Sequence, residues 1–228
     1  MKYAIIGAGG TGGCLGFFLK KAGKDVTLIA RGKHLEAIRK NGLTIQKLWD
    51  ESRETLPVKA CTAEEYKEIP DVILVCVKGY SMDETVPTIK KIAGKETVVI
   101  PILNIYGTGG RLQKKLPELT VTDGCIYVSA NIMEPGVILQ HGKILRVVFG
   151  ARKPEEETEK MREVAKDMVT DDLEVILSEN IRRDAMVKFS YVSPIGAAGL
   201  YCNAVAADFQ REGEQREMFK ALIREIVA

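Results

Sequence analysis

At 228 residues the chain is long enough to bury a substantial core, either as one large domain or as a domain with an appendage. Its 33 Lys and Arg against 31 Asp and Glu leave a formal charge of +2, with the basic residues scattered, so no electrostatic footprint for nucleic acid is visible. No apolar stretch is long enough to span a bilayer and no processed leader opens the chain, so a cytoplasmic location is expected.

In chain order, "KYAIIGAGG" reads as a short buried strand entering a turn, and "GGCLGFFLKKAG" as a helix with one apolar face, stopped at Gly23. "DVTLIA" is a second strand. Residues 33–40 predict a short helix ending at Asn41-Gly42, and "LTIQKL" and "TLPVKACT" read as peripheral extended segments. The continuous apolar run "DVILVCVKG" is the clearest strand, as expected where both faces of a parallel sheet are covered. A helix over 81–93, a strand "TVVIPILN" closing at Asn104 and a helix from "TGGRLQKKL" follow. This alternation predicts an α/β fold with a doubly wound parallel sheet.

Residues 120–150 read instead as several strands, with turns at Pro135-Gly136 and His141-Gly142, able to extend the same sheet in an antiparallel sense. A solvated helix over 154–170 and a last strand "LEVILS" come next, and everything after Ser178 reads as helical. That tail is too short for a core of its own, so it is expected to pack on the first domain or on a partner chain, a homodimer being one such arrangement. The chain stops within the amphipathic "MFKALIREIVA", without a cap or exit residue, and a shortened C-terminal domain is expected.

Gly7, Gly9 and Gly12 fit the G-x-G-x-x-G pattern between a strand and a helix. The first permits a tight turn, the second lets backbone approach a pyrophosphate and the third allows close helix-sheet packing. The helix N-terminus adds unpaired N–H groups and partial positive charge. Residues Gly7, Ala8, Gly9, Gly10, Thr11 and Gly12 are therefore the expected cofactor contacts. An acidic residue about 20 positions on would bind the ribose hydroxyls of NAD. Ala30 and Arg31 stand there instead. A carboxylate repels a 2′-phosphate and a guanidinium binds one through charge-assisted bonds, so Arg31 points to NADPH, with Lys33 close by. The alternative for Arg31 is a solvent-facing loop charge.

Ligands of open parallel sheets bind beyond the carboxyl ends of the strands, which singles out Lys78 and Asn104. Lys188, in "DAMVKFSYVSPIGAAG", is a third candidate. Its spacing from Asp184 favours an ordinary surface pair. Its apolar neighbours Met186, Val187, Phe189, Tyr191 and Val192 suggest a desolvated amine suited to proton donation. Five cysteines, at 14, 61, 76, 125 and 202, lie far apart, so neither a zinc site nor a disulfide framework is indicated. With only His34 and His141, nucleophilic triads are hard to assemble.

The runs "IIGAGGTGG", "ARGKHLEAIRKNGL", "VCVKGY", "LNIYG", "EPGVILQHGK" and "NIRRDAMVKF" together resemble the ketopantoate reductase (2-dehydropantoate 2-reductase) family along essentially the whole chain. The resemblance implies an NADPH-binding Rossmann-type domain, here residues 1–178, followed by a helical domain, here 179–228 and incomplete, with a small 2-oxo acid between them. It implies reduction of 2-dehydropantoate to (R)-pantoate, toward pantothenate and coenzyme A. Under it Lys188 matches the catalytic lysine, and Lys78 and Asn104 match polar residues near the nicotinamide and substrate. Met186, Val192 and Gly196 depart from the family's tryptophan and two asparagines; Ser193, Tyr191 and Asn203 are the nearby substitutes. A related opine or hydroxy-acid dehydrogenase and an NADP(H) sensor without chemistry are the competing readings.

Overall fold

The computed structural model describes residues 1–227. In chain order the first half runs β1 (Lys2–Ile6), α1 (Gly10–Lys21), β2 (Asp25–Ile29), α2 (Gly32–Asn41), β3 (Leu43–Lys47), β4 (Arg53–Leu56), β5 (Lys59–Cys61) and β6 (Val72–Val75). Then come α3 (Val86–Ile92), β7 (Val98–Pro101), α4 (Thr108–Lys115), β8 (Thr120–Val121), β9 (Asp123–Tyr127), β10 (Ala130–Glu134), β11 (Val137–Gln140) and β12 (Arg146–Gly150). The last elements are α5 (Glu159–Met168), β13 (Glu174–Leu177), α6 (Ile181–Cys202) and α7 (Glu214–Val227).

Six strands pair in the order β5-β2-β1-β6-β7-β8, every neighbour parallel. The alternation of side chains along each strand divides the core in two. Tyr3, Ile5, Val72, Leu74, Val98 and Ile100 pack on one face with α1 and α5. Ala4, Ile6, Ile73, Val75, Val99 and Val121 pack on the other with α3 and α4. Strand order reverses about β1, so the turns after β1, β2, β6 and β7 all open on one crevice.

The strands of 120–150 do not extend this sheet in an antiparallel sense. Only β8 joins it, and it is parallel. The others build two small sheets, β10-β11-β3-β4 and β13-β12-β9. The departure begins at Asp123, whose carboxylate accepts the Gly109 N–H at the start of α4 at 2.7 Å. Gly124 then crosses β7 so closely that a Cβ would lie 3.1 Å from the Pro101 carbonyl oxygen, and β9 is carried out of the plane. The helix expected over 81–93 is also shorter. Two single 3-10 turns occupy 79–81 and 83–85, and α3 starts where Pro87, which has no N–H to donate, falls in the first helical turn. Likewise α5 is confined to Glu159–Met168 by a Thr158 cap, and it buries Met161, Val164 and Met168 rather than being wholly solvated. Two strands end earlier than their apolar runs: β6 at Val75 and β7 at Pro101.

Beyond β13 the structure is helical. Asn180 caps α6 by accepting the Arg183 N–H at 3.1 Å, and α7 packs back on α6 through Tyr191 and Phe219, ring centroids 5.8 Å apart. Among the described residues no helix is long and apolar enough to cross a membrane.

Candidate active site

The glycine turn begins where β1 ends. Gly7 has φ +98°, a conformation that side chains with a Cβ resist, and a Cβ there would touch Val77 and the Cys76 carbonyl at 3.0–3.1 Å. At Gly12 a Cβ would lie 1.9 Å from the Gly7 oxygen, so this glycine lets α1 start directly beneath the turn. A Cβ on Gly9, by contrast, would meet nothing within 4 Å. The backbone N–H groups of residues 9–12 have no backbone acceptor among the described residues. Open space bordered by unpaired donors at a helix N-terminus suits an anion.

Arg31 stands at the carboxyl end of β2 as the N-cap of α2. Its side chain is exposed and has no ion-pair partner among the described residues. Arg39, on the same helix, is tied down by Glu65 and by the Ala60 carbonyl. The crevice arginine is thus free to meet a ligand. Lys33 is exposed close by.

A second cleft, narrow enough to admit little more than a water molecule, lies where the chain beyond β7 meets α6. Leu103, Asn104, Tyr106, Cys125, Phe189 and Val192 line it, with Lys188 among them. Lys188 is only 7% exposed. The spacing-based pairing with Asp184 does not form: Asp184 accepts the Ser178 hydroxyl at 2.6 Å and so serves the start of α6. Lys188 Nζ instead donates to Asn104 Oδ1 at 2.5 Å and lies 5.7 Å from the Tyr127 ring centroid. Burial pushes the amine below its ordinary pKa, with the nearby Cys125 acting in the opposite direction. Without a carboxylate partner among the described residues, the ammonium is a good hydrogen-bond donor and gives up its proton more readily than an exposed lysine would.

Asn104 and Lys188 therefore come together although 84 residues separate them. Lys78 does not join them: it is exposed, precedes the single turn at 79–81, and is absent from the cleft wall. Ser193 is half-buried and also lies off the wall, which Val192 occupies one helical turn beyond Lys188. Tyr127 and Tyr106 escaped sequence reasoning, because their contribution depends on β9, the segment after β7 and α6 meeting in space, whereas Phe189 was read as an apolar flank of Lys188. The apolar flanks of Lys188 were the only local signal.

A parallel sheet in this order, with a glycine turn at its reversal point and a buried amine beyond its carboxyl edge, defines the class: a Rossmann-type fold of the kind that oxidoreductases use. A sequence profile of the family described as ketopantoate reductase PanE/ApbA matches residues 3–154. The chain belongs to the ketopantoate reductase family. It is 33% identical over 202 residues to the 2-dehydropantoate 2-reductase of Pyrococcus horikoshii, covering 86% of this chain and 64% of that protein. It is 29% identical over 193 residues to the oxidoreductase YkpB of Bacillus subtilis, covering 85% of this chain and 62% of the relative. The chain thus spans a little under two thirds of the length of these two relatives. The crystal structure of 2-dehydropantoate 2-reductase from Porphyromonas gingivalis superposes with a TM-score of 0.86 at 29% identity, over 99% of this chain and 80% of that one.

Proposed function

We propose that this chain carries the cofactor-binding and proton-donating part of an NADPH-dependent reductase of a small 2-oxo acid, with 2-dehydropantoate as the leading substrate and pantothenate synthesis as its context. The observation that carries the reading is the buried Lys188 ammonium, bonded to Asn104 in a cleft at the carboxyl edge of the sheet. Residues 1–178 serve as the cofactor domain and 179–228 as the start of the helical substrate domain.

The residues present fit the dinucleotide. The open face of Gly9 and the N–H groups of residues 9–12 suit a pyrophosphate, and the exposed Arg31, with no ion-pair partner among the described residues, suits a 2′-phosphate. When bound, reduced nicotinamide supplies a hydride to the substrate's carbonyl carbon. Lys188 Nζ stabilises the oxygen as negative charge grows on it and delivers the proton that completes the alcohol. Asn104 Oδ1 fixes the direction of one ammonium N–H, leaving the other two for the substrate. Solvent then reprotonates the neutral amine.

Val192 favours a second reading of the substrate. It puts an isopropyl group on the cleft wall, where the family resemblance leads one to expect an amide. A 2-oxo acid with an apolar side chain would lose less there than one whose hydroxyl needs a partner. Rates of NADPH oxidation with 2-dehydropantoate and with its analogue lacking the hydroxyl separate the two. The cofactor is tested by titrating NADPH and NADH against wild type and Arg31→Ala. The wild type should prefer NADPH, and the variant should lose roughly tenfold or more in NADPH affinity with NADH binding little changed. Equal loss for both cofactors, or none for either, removes Arg31 from its role.

A further inference from the structure

His34, three residues into α2, makes two hydrogen bonds that join three separate pieces of the fold. The Gly136 N–H, at the tip of the β10–β11 hairpin, donates to His34 Nδ1 at 3.0 Å. That bond leaves Nδ1 without a proton and puts the ring hydrogen on Nε2. Nε2 lies 2.8 Å from the carbonyl oxygen of Ala8, inside the glycine turn, and donates to it. The same hairpin meets the turn a second time. A Cβ on Gly10 would come within 2.2 Å of the Ala130 carbonyl oxygen.

The bond to Ala8 has a stereochemical consequence. In a trans peptide the C=O of one residue and the N–H of the next point in opposite directions. Fixing the Ala8 carbonyl toward His34 therefore turns the Gly9 N–H away from α2, on the residue whose Cβ position is open and whose amide has no backbone partner among the described residues. We propose that His34 is a positioning residue for cofactor binding: as the Nε2–H tautomer it sets the Ala8–Gly9 peptide so that the Gly9 N–H faces the pyrophosphate, and it fastens α2, with Arg31 at its cap, to the same turn. The inference rests on the cofactor reading above. The ring need not touch the cofactor. Its burial, which lowers the imidazole's pKa, favours the neutral ring that this pattern requires.

Two substitutions separate the bonds. In His34→Asn the shorter amide offers an acceptor near the Nδ1 position, so it keeps the Gly136 contact but falls short of Ala8. In His34→Gln the longer amide reaches the Ala8 carbonyl. NADPH dissociation constants measured by calorimetry, with thermal unfolding as the control for folding, should show His34→Asn folded and weakened roughly tenfold, and His34→Gln within about threefold of wild type. An Asn variant that binds like wild type, or a Gln variant no better than Asn, overturns the role given to His34. Failure of wild type itself to bind NADPH overturns the cofactor reading and this inference with it. Wild-type binding alongside an unaffected Asn variant overturns this inference alone.

Discussion

In the proposed mechanism Lys188 trades stability for chemistry. An amine 7% exposed, bonded to one neutral amide oxygen and without a carboxylate partner among the described residues, carries its charge at a cost in desolvation. Its folded pKa lies below its ordinary 10.5, so the unfolded chain binds the proton more tightly. The penalty on stability is complete below the folded pKa and fades as pH rises from there toward 10.5. Lys188→Met, of similar shape and without charge, should therefore abolish turnover yet unfold later than wild type at pH 7, by on the order of 1 kcal/mol. The gap should close as the pH of the melting experiment is raised to about 10. A variant less stable than wild type at pH 7 would mean that the Asn104 bond outweighs desolvation. The apolar flanks of Lys188 made its burial legible in the sequence. Its partner was not legible: local spacing pointed to Asp184, four residues away, and only the folded sheet brings residue 104 to residue 188.

Among elements, the β1–α1 unit is the one whose sequence and structure agree most closely, because its tightest constraint is local. Gly12 answers the approach of the Gly7 oxygen five residues earlier, so the spacing identifies the turn, although Gly7 itself meets the distant Cys76 and Val77 and a Cβ on Gly9 would meet nothing. The small sheets were not legible, since Asp123 leaves the main sheet for a bond to Gly109 and β11 finds β3 some 90 positions earlier in the chain, neither of which a periodic pattern records. The two glycines of the turn make opposite predictions. Gly9 has φ −70° and free space around a Cβ, so Gly9→Ala should fold normally, with thermal stability within about 0.5 kcal/mol of wild type. The methyl group would occupy the space assigned to the pyrophosphate, and NADPH affinity should fall tenfold or more. Gly12→Ala forces a Cβ to 1.9 Å from the Gly7 oxygen and must displace backbone, at a cost on the order of 2 kcal/mol or more. Unfolding curves and NADPH titrations of the pair check both. Undiminished binding in Gly9→Ala would take the pyrophosphate out of this turn.

Across the whole molecule, the face of the sheet covered by α1 and α5 is closed at the end opposite the crevice by a cluster of charges around two aspartates. Asp167 on α5 accepts the hydroxyl of buried Tyr3 at 2.5 Å and the Lys24 ammonium at 2.9 Å, with the chain's N-terminal amine 3.7 Å away. Asp71, just before β6, accepts the Lys2 N–H at 2.8 Å and the Lys160 ammonium at 3.1 Å. Together they bind β1, the α1–β2 turn, β6 and α5 at the amino edge of the sheet, leaving the carboxyl edge to ligands. For Asp167 burial opposes ionisation, but the Tyr3 hydroxyl and the cations outweigh it and the pKa is lowered; for Asp71 the Lys2 N–H leads in the same direction. A carboxylate whose folded pKa lies below its unfolded value contributes stability that is present above the unfolded value, about 3.9, and lost as pH falls through the folded one. The protein should accordingly keep this contribution at pH 5 and lose it below about pH 4. Asp167→Ala strands the Tyr3 hydroxyl and removes the anion, and should cost about 1–3 kcal/mol at pH 7. Because part of that cost depends on charge, the difference from wild type in urea unfolding should narrow steadily from pH 4 downward. A difference that stays constant to pH 2.5 would show that Asp167 acts only as a neutral hydrogen-bond acceptor, and that acid sensitivity arises elsewhere in the fold.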